Sequence, residues 1–327
     1  MKQLILLTAC AVLFAASTHA AAQTTASFPV KPIRLVVPWP PGGGNDLIAR
    51  WIAPKLNEAL AQPVIVDNRG GQNGVIGADV VAKAPRDGYT FMVHTVTGHV
   101  INPAFYGKLP YDTERDFSGV TLIASVAHVI VAHPALPVTT LKDLIALARA
   151  RPGEINFASF GNGSTSHLSG ELFKTMTGVN IVHVPYKGGG PALVDTIAGH
   201  VPIYFSSIPT ALPQVKAGRI RAIAVTGAAR SKHLPETPTV DEAAGTRGYV
   251  TEVMYGVLAP AGVPTDILSR LNGELVKILK TPDMREKLSS IGTDDPVAST
   301  LEQTAAYIRD ELPKWAKIVK ASGTKPD

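Results

Sequence analysis

Residues 33–46 read Ile33-Arg34-Leu35-Val36-Val37-Pro38-Trp39-Pro40-Pro41-Gly42-Gly43-Gly44-Asn45-Asp46, and this stretch decides the fold class. A β-branched apolar run ends in prolines and three glycines, after which the amphipathic segment 47–60 begins. The order is strand, tight loop, helix. Proline withholds a backbone donor and fixes φ, glycine permits positive φ, and Asp46 is placed to cap free N–H groups at the helix start. Such a loop leaves bare amides at the positive end of a helix, which suits a small anion. An ordinary turn with a helix cap is the competing reading. A nucleotide loop is not: no Lys-Ser or Lys-Thr follows the glycines, and Leu47 takes the third glycine position of G-x-G-x-x-G.

Outward from this stretch the theme repeats. The apolar run 63–68 empties into Arg69-Gly70-Gly71-Gln72-Asn73-Gly74, with helical periodicity over 75–84. A strand over 89–94 leads into the turn Thr95-Val96-Thr97-Gly98. Farther on, Ile155–Phe160 is a strand, Gly161-Asn162-Gly163-Ser164-Thr165-Ser166 a loop and 167–177 a helix, so that several hydroxyls and amides converge at one helix start. Strand 179–185 ends in Tyr186-Lys187-Gly188-Gly189-Gly190, and a helix carrying Asp195 follows. Strand 201–205 ends in Ser206-Ser207, strand 220–226 comes next, and the chain finishes in helices, the last opened by Ser299-Thr300-Leu301-Glu302. The apolar segment 117–132 is long enough for two strands, or for one that crosses between domains. Strands alternating with helices predict an α/β fold of mostly parallel sheets flanked by helices, with ligands beyond the carboxyl ends of the strands.

The chain has 327 residues, more than one ordinary core accommodates, so two domains are expected. Its net charge of +5 comes from scattered Lys and Arg, without basic runs or aromatic interleaving, which argues against a nucleic-acid partner. Lys2, an apolar run over 4–16 and small residues through Ala22 predict a cleaved secretory signal over 1–22 and a periplasmic protein. The run is too short for a membrane span. Cys10 is the only cysteine, so the mature chain has neither disulfide nor thiolate chemistry. The histidine pairs His94/His99 and His128/His133 lack metal-site spacing. No cofactor, metal or catalytic group is expected.

Together the motifs KPIRLVVPWPPGGGND, PVIVDNRGGQNGVIGADVVAKAPRDGYT, NFASFGNGSTSHLSGELF, VPYKGGGPALVD and LPQVKAGRIRAIAVT resemble those of the substrate-binding components of tripartite tricarboxylate transporters, over residues 28–226 and into the C-terminal helices. The resemblance implies a two-lobed, type II-like Venus-flytrap receptor acting as a monomer. Its first lobe would comprise 28–126 and 227–327, and its second 127–226. It implies a small mono- or dicarboxylate ligand and, as partners, the membrane subunits of such a transporter. Carried over residue by residue, ligand contacts fall on Pro40, Gly43, Gly44 and Asp46; on Thr97 and Gly98; on a carboxylate clamp of Gly161, Asn162, Ser164, Thr165 and Ser166; and on Tyr186, Lys187 and Asp195. Ser159 and Ser206, at the strand ends beside these loops, complete the set. Three departures from the family pattern are Phe160 in place of a small residue, Gly70 in place of proline, and Ser206 in place of Asp or Asn.

Bland readings stand beside these. The loop 161–166 could be an N-cap with spare hydroxyls, Lys187 a solvated charge, and Asp195 a helix-surface carboxylate or a group orienting Lys187. His167 beside Ser164 raises a secreted hydrolase as an alternative, although no G-x-S-x-G elbow surrounds the serines. A solute sensor for a signalling kinase would use the same cleft.

Overall fold

The structure is a computed structural model that describes residues 28–293 and 295–326; the expected signal segment lies outside them. Its strands are β1 (Ile33–Val37), β2 (Val64–Asn68), β3 (Thr90–Thr95), β4 (Phe117–Ala132), β5 (Asn156–Ser159), β6 (Val182–Pro185), β7 (Ile203–Ser207), β8 (Arg221–Val225) and β9 (Glu252–Pro260). The helices are α1 (Gly44–Leu60), α2 (Val75–Ala82), α3 (Val96–Tyr106), α4 (Leu141–Ala150), α5 (Thr165–Thr177), α6 (Gly189–Ile197), α7 (Ile208–Lys216), α8 (Val240–Ala244), α9 (Thr265–Leu279), α10 (Pro282–Ser290) and α11 (Leu301–Ser322).

The strands run in the order β2-β1-β3-β9-β4-β7-β5-β6, with β8 also paired to β4. Parallel pairs form the outer parts of each half: β1 with β2 and β3, and β5 with β6 and β7. The strands joining the halves are antiparallel. β4 pairs with β9 through Ala127↔Glu252 and with β7 and β8 from His128 or Val129 onward. The long apolar segment is therefore one strand crossing between two lobes.

Each lobe buries helices on both faces of its half-sheet. In the first, α1 and α9 cover one face, contributing Ile48, Ile52, Leu56, Leu271 and Leu275 to the core, while α2 and α3 cover the other through Val75, Val81, Val100 and Ile101. In the second, α4 and α5 pack on one face through Leu144 and Phe173, against Phe157 of β5, and α6 and α7 on the other through Ala192, Ile208 and Ala211. Burial of this kind stabilises by roughly 1.5–3 kcal/mol per large side chain. Gly170 of α5 is required by this packing, since a Cβ there would stand 2.3 Å from the Phe157 ring.

Packing assigns residues 240–249 differently from the expected division at 226. Val240 and Tyr249 are fully buried in the core of the second lobe, and α8 lies against α4. The chain returns to the first lobe at Thr251–Glu252. This return is laced to the outward crossing: Thr226 Oγ1 accepts from His128 N at 2.9 Å and donates to Thr251 O at 2.6 Å. α11 touches both lobes, lying against α3 and α5.

Three local expectations change. The segment after β3 is not a turn: Thr97 and Gly98 lie in the first turn of α3, for which Thr95 is the N-cap. α1 begins at Gly44 with Gly43 as N-cap, so Asp46 sits inside the first turn and its carboxylate accepts from Gly42 N outside the helix, at 2.9 Å. The capping box of the last helix runs from Thr300 to Gln303, because Ser299 is turned inward, where its Oγ accepts from Leu122 N at 2.7 Å.

Candidate functional site

A cavity of about 600 Å³ lies between the lobes. The first lobe contributes the loop after β1, with Trp39, Pro40, Pro41 and Gly43, then the α1 residues Gly44 and Asn45, and Thr95 and Gly98 from the start of α3. The second contributes Phe160 to Asn162, Ser164 and Thr165, with Gly188 and Ser207. Val126 on β4 and Val253 and Tyr255 on β9 line it where the lobes join. A hollow of about 510 Å³ on the second lobe, bordered by Leu212, Val215 and Leu234, is smaller and shares no lining residue with this cavity.

The second-lobe loop is held from beneath. Ser159 Oγ accepts from Gly161 N at 3.1 Å and lies 2.6 Å from His183 Nε2. His167 Nδ1 accepts from Gly163 N at 3.2 Å. The rings of His167 and His183 stack at 3.5 Å, and burial together with the neighbouring His167 pushes His183 down to about 3, so it stays neutral. Ser164 caps α5, its Oγ accepting from His167 N and donating to Gly161 O at 2.7 Å. These bonds fix the backbone so that the first turn of α5 opens into the cavity, where the leading N–H groups of a helix have no intrahelical acceptor. Thr165 Oγ1 lies 3.1 Å from Nε2 of the fully buried His128, at the β4 crossing. Burial lowers His128 to about 4, so it remains neutral at pH 7.

The opposite wall is set by Asp46, 2% exposed. Burial alone would raise its pKa, but hydrogen bonds from Arg50, Gly42 N and Asn68, with the Arg50 charge, hold it below the usual carboxylate range. Asn68 Nδ2 also donates to Trp39 O at 3.1 Å, which fixes the proline loop. Trp39 Nε1 donates to His94 Nδ1 at 3.1 Å. Gly70, where proline was expected, packs against this loop, with a Cβ position 3.1 Å from Pro40.

Eight of the sequence-derived residues line the cavity: Pro40, Gly43, Gly44, Gly98, Gly161, Asn162, Ser164 and Thr165. The others lie behind it or away from it. Thr97 Oγ1 accepts from Met254 N and donates to Glu252 O, tying α3 to β9. Ser166 donates to Phe205 O, Ser206 to Ser207 O, and Ser159 and Asp46 support loops as described. Tyr186 OH donates to Asp195 at 2.7 Å, and Lys187 is exposed. Asp195 is thus engaged by Tyr186 rather than by Lys187.

The alternative nucleophile–base pair is not assembled: Ser164 Oγ serves Gly161 O and His167 N, while the His167 ring serves Gly163 N. Among the described residues no cluster of three or more His, Cys, Asp or Glu could hold a metal ion. No helix among them is long and apolar enough to cross a membrane.

Sequence reasoning missed the apolar lining, chiefly Ile101, Val126, Val253 and Tyr255. These sit in ordinary periodic runs, and nothing local marks them as facing a cavity. Only Phe160 had carried a signal, as a departure from the family pattern.

The description "Tripartite tricarboxylate transporter family receptor" matches residues 48–324. The chain belongs to this family. The receptor is 40% identical over 298 residues to the UPF0065 protein in the tcbD-tcbE intergenic region of a Pseudomonas species, covering 91% of this chain and 88% of that one. Among solved structures it resembles R. palustris Rpa4515 with adipate, at 40% identity and TM-score 0.80, covering 92% of this chain and all of that one. It also resembles MatC from Rhodopseudomonas palustris with bound malate, at 30% identity and TM-score 0.76, covering 89% and 100%. The fold is accordingly that of a two-lobed periplasmic binding protein.

Tyr255 and Gly44 meet across the first-lobe wall. A Cβ on Gly44 would stand 2.5 Å from the Tyr255 hydroxyl oxygen and 3.1 Å from the adjoining ring carbon. Gly44→Ala should therefore destabilise the fold by about 1–2 kcal/mol through overpacking, and Tyr255→Phe should recover at least half of that loss. Urea denaturation of both single variants and the double variant measures the coupling. Additive effects would mean that the two residues do not meet.

Proposed function

We propose that this receptor, exported to the periplasm with loss of residues 1–22, binds a small organic acid between its lobes without altering it and presents the closed form to the membrane subunits of a tripartite transporter. The supporting observation is the interlobe cavity, where the first turn of α5, with no acidic residue in it, opens beside Thr165 and Asn162. Helix N-terminal amides and a hydroxyl together replace the water around a carboxylate. The relatives holding adipate and malate support an acid in this position. To favour closure, the acid must bind the closed arrangement more tightly than the open one, and a site divided between two lobes meets that condition. Binding without turnover is supported by the same residues: Ser159 and Ser164 serve as a loop brace and a helix cap, and the Ser164 hydroxyl is not paired with the His167 ring.

Isothermal titration against a panel of mono- and dicarboxylates tests the proposal. Saturable binding without product formation is expected; a product released at a catalytic rate would overturn it. Thr165→Ala should weaken the acid by about 1–2 kcal/mol, and Thr165→Ser should retain most of the affinity. Equal affinity in wild type and Thr165→Ala would remove the hydroxyl from the clamp.

A further inference from the structure

The loop before α5 owes its shape to side chains that stay outside the cavity. Gly161 and Gly163 hold φ values of +138° and +70°, and their N–H groups donate to side chains: Gly161 N to Ser159 Oγ and Gly163 N to His167 Nδ1. Asn162, carried between the two glycines, and Thr165, at the start of the helix, line the cavity, whereas Ser159, His167 and His183 do not. From the first lobe Phe105 closes on the other side of the loop, where a Cβ on Gly163 would stand 2.4 Å from its ring. The loop is thus pressed between a first-lobe aromatic ring and a pair of second-lobe histidines, and its backbone has little room to turn.

An imidazole nitrogen that accepts from an amide carries no hydrogen, so the bond from Gly163 N makes His167 the neutral ring with its proton on Nε2. That nitrogen lies 3.7 Å from Oε1 of the buried Glu171, which Lys174 engages at 2.9 Å. Burial alone would raise the Glu171 carboxyl, but the neighbouring His167 and Lys174 hold it below its usual range, so it stays ionised and can orient the ring. His167 lies flat on His183, 7° from parallel, and His183 Nε2 meets the same Ser159 Oγ that receives Gly161 N. Each of two stacked, neutral rings therefore controls one glycine amide, His167 directly and His183 through Ser159.

We propose that the stacked pair His167 and His183, with Ser159 and Glu171, is a positioning unit for the acid: it fixes the backbone at Gly161 and Gly163, and with it the direction in which Asn162 and the first turn of α5 meet the carboxylate. Neither histidine touches the ligand. Each acts through the loop, which is set before the acid arrives, so that binding spends little on ordering it. This inference rests on the receptor reading above.

Substitution by the two amides tests the assignment in the full mature chain at pH 7.5, with adipate, malate, hexanoate and benzoate as probes. Asparagine places its carboxamide near the position of Nδ1 and glutamine near that of Nε2, so both remove the stack but each keeps only one bonding position. His167→Asn and His183→Gln are expected to weaken binding by at most about threefold, and His167→Gln and His183→Asn by about tenfold, one hydrogen bond's worth. A role in packing alone predicts no such crossed pattern. Amide hydrogen exchange in the ligand-free protein reads the same bonds without any acid: His167→Gln should speed exchange at Gly163, and His183→Asn at Gly161, by about tenfold. Equal losses within each pair, for a probe that binds the wild type, would overturn the positioning role and leave the receptor reading intact. So would nitrogen chemical shifts of the wild-type His167 ring showing the proton on Nδ1, a measurement that decides even if no variant folds. A wild type that binds no acid in a broad panel would overturn the receptor reading, and the role of the pair with it.

Discussion

Replacing Trp315 with alanine should lower the free energy of unfolding by about 3–5 kcal/mol, the range for removing a large aromatic side chain from a packed core. Trp315 is fully buried, and its Nε1 donates to Glu311 Oε2 at 2.7 Å one turn earlier on α11. It shares one core cluster with Phe105 and Ile101 of the first lobe and Leu168 of the second. α11 therefore straps the lobes together, and beyond it Lys325 O accepts from Asn162 Nδ2 at 2.8 Å, at the rim of the cavity. The variant should lose affinity for the acid in addition to stability, because α3 and α5 both carry cavity residues. Urea denaturation at fixed pH measures the effect through the transition midpoint, with the slope showing whether unfolding remains one transition. A loss below about 1 kcal/mol would mean that the strap contributes little.

Much of this architecture was legible because each strand, turn and helix carries its own local chemistry. The run ending in Pro38 through Gly44 could scarcely form anything but a strand leading into a loop and helix. The less legible parts depended on partners distant in the chain. The start of α3 was misplaced because Thr95 to Gly98 reads as a turn before a helix, while the helix begins at Val96, with Val96, Val100 and Ile101 packing into the first-lobe core. α8 has only five residues, too few for periodicity, and its assignment to the second lobe follows from the burial of Val240 and Tyr249.

The candidate site divides in the same way. Glycines and hydroxyls at loop positions could be singled out one by one, but whether a hydroxyl faces the cavity or braces the loop depends on acceptors elsewhere. Ser166 turns to Phe205 O on β7 and Thr97 to the backbone of β9, contacts separated by 39 and 155 residues respectively. Asp46 shows this most clearly: its position in the sequence suggests a ligand contact, and the partners that engage its carboxylate in the structure are Gly42, Arg50 and Asn68.

Acidification from pH 7 to 5 should cost the fold about 4 kcal/mol or more, through histidines it keeps neutral. His94, His99 and His128 are fully buried, and burial lowers all three: His99 and His128 to about 4, and His94 well below its ordinary value, with the neighbouring His99 adding to the effect. The sign follows from proton uptake. Above about pH 6.5 these rings are neutral in both folded and unfolded chains, so they make stability neither rise nor fall. Below it the unfolded chain takes up protons that the folded chain refuses, and stability declines until the pH reaches the folded values near 4. At pH 5 a ring held near 4 costs about 2 kcal/mol, so His99 and His128 together account for about 4. The carboxylates held low, such as Asp46, begin to matter only at still lower pH, leaving this window to the histidines. Urea denaturation at pH 7.5, 6 and 5 checks the prediction, and His128→Asn should flatten the profile by about one proton's worth. A stability constant from pH 7.5 to 5 would show that these rings titrate alike in both states. Because His128 also faces Thr165 Oγ1, charging that ring near pH 4 would disturb the proposed clamp as well, in the same range where the carboxylate of the acid takes up its own proton, so affinity should hold from pH 7.5 to 6 while stability already declines.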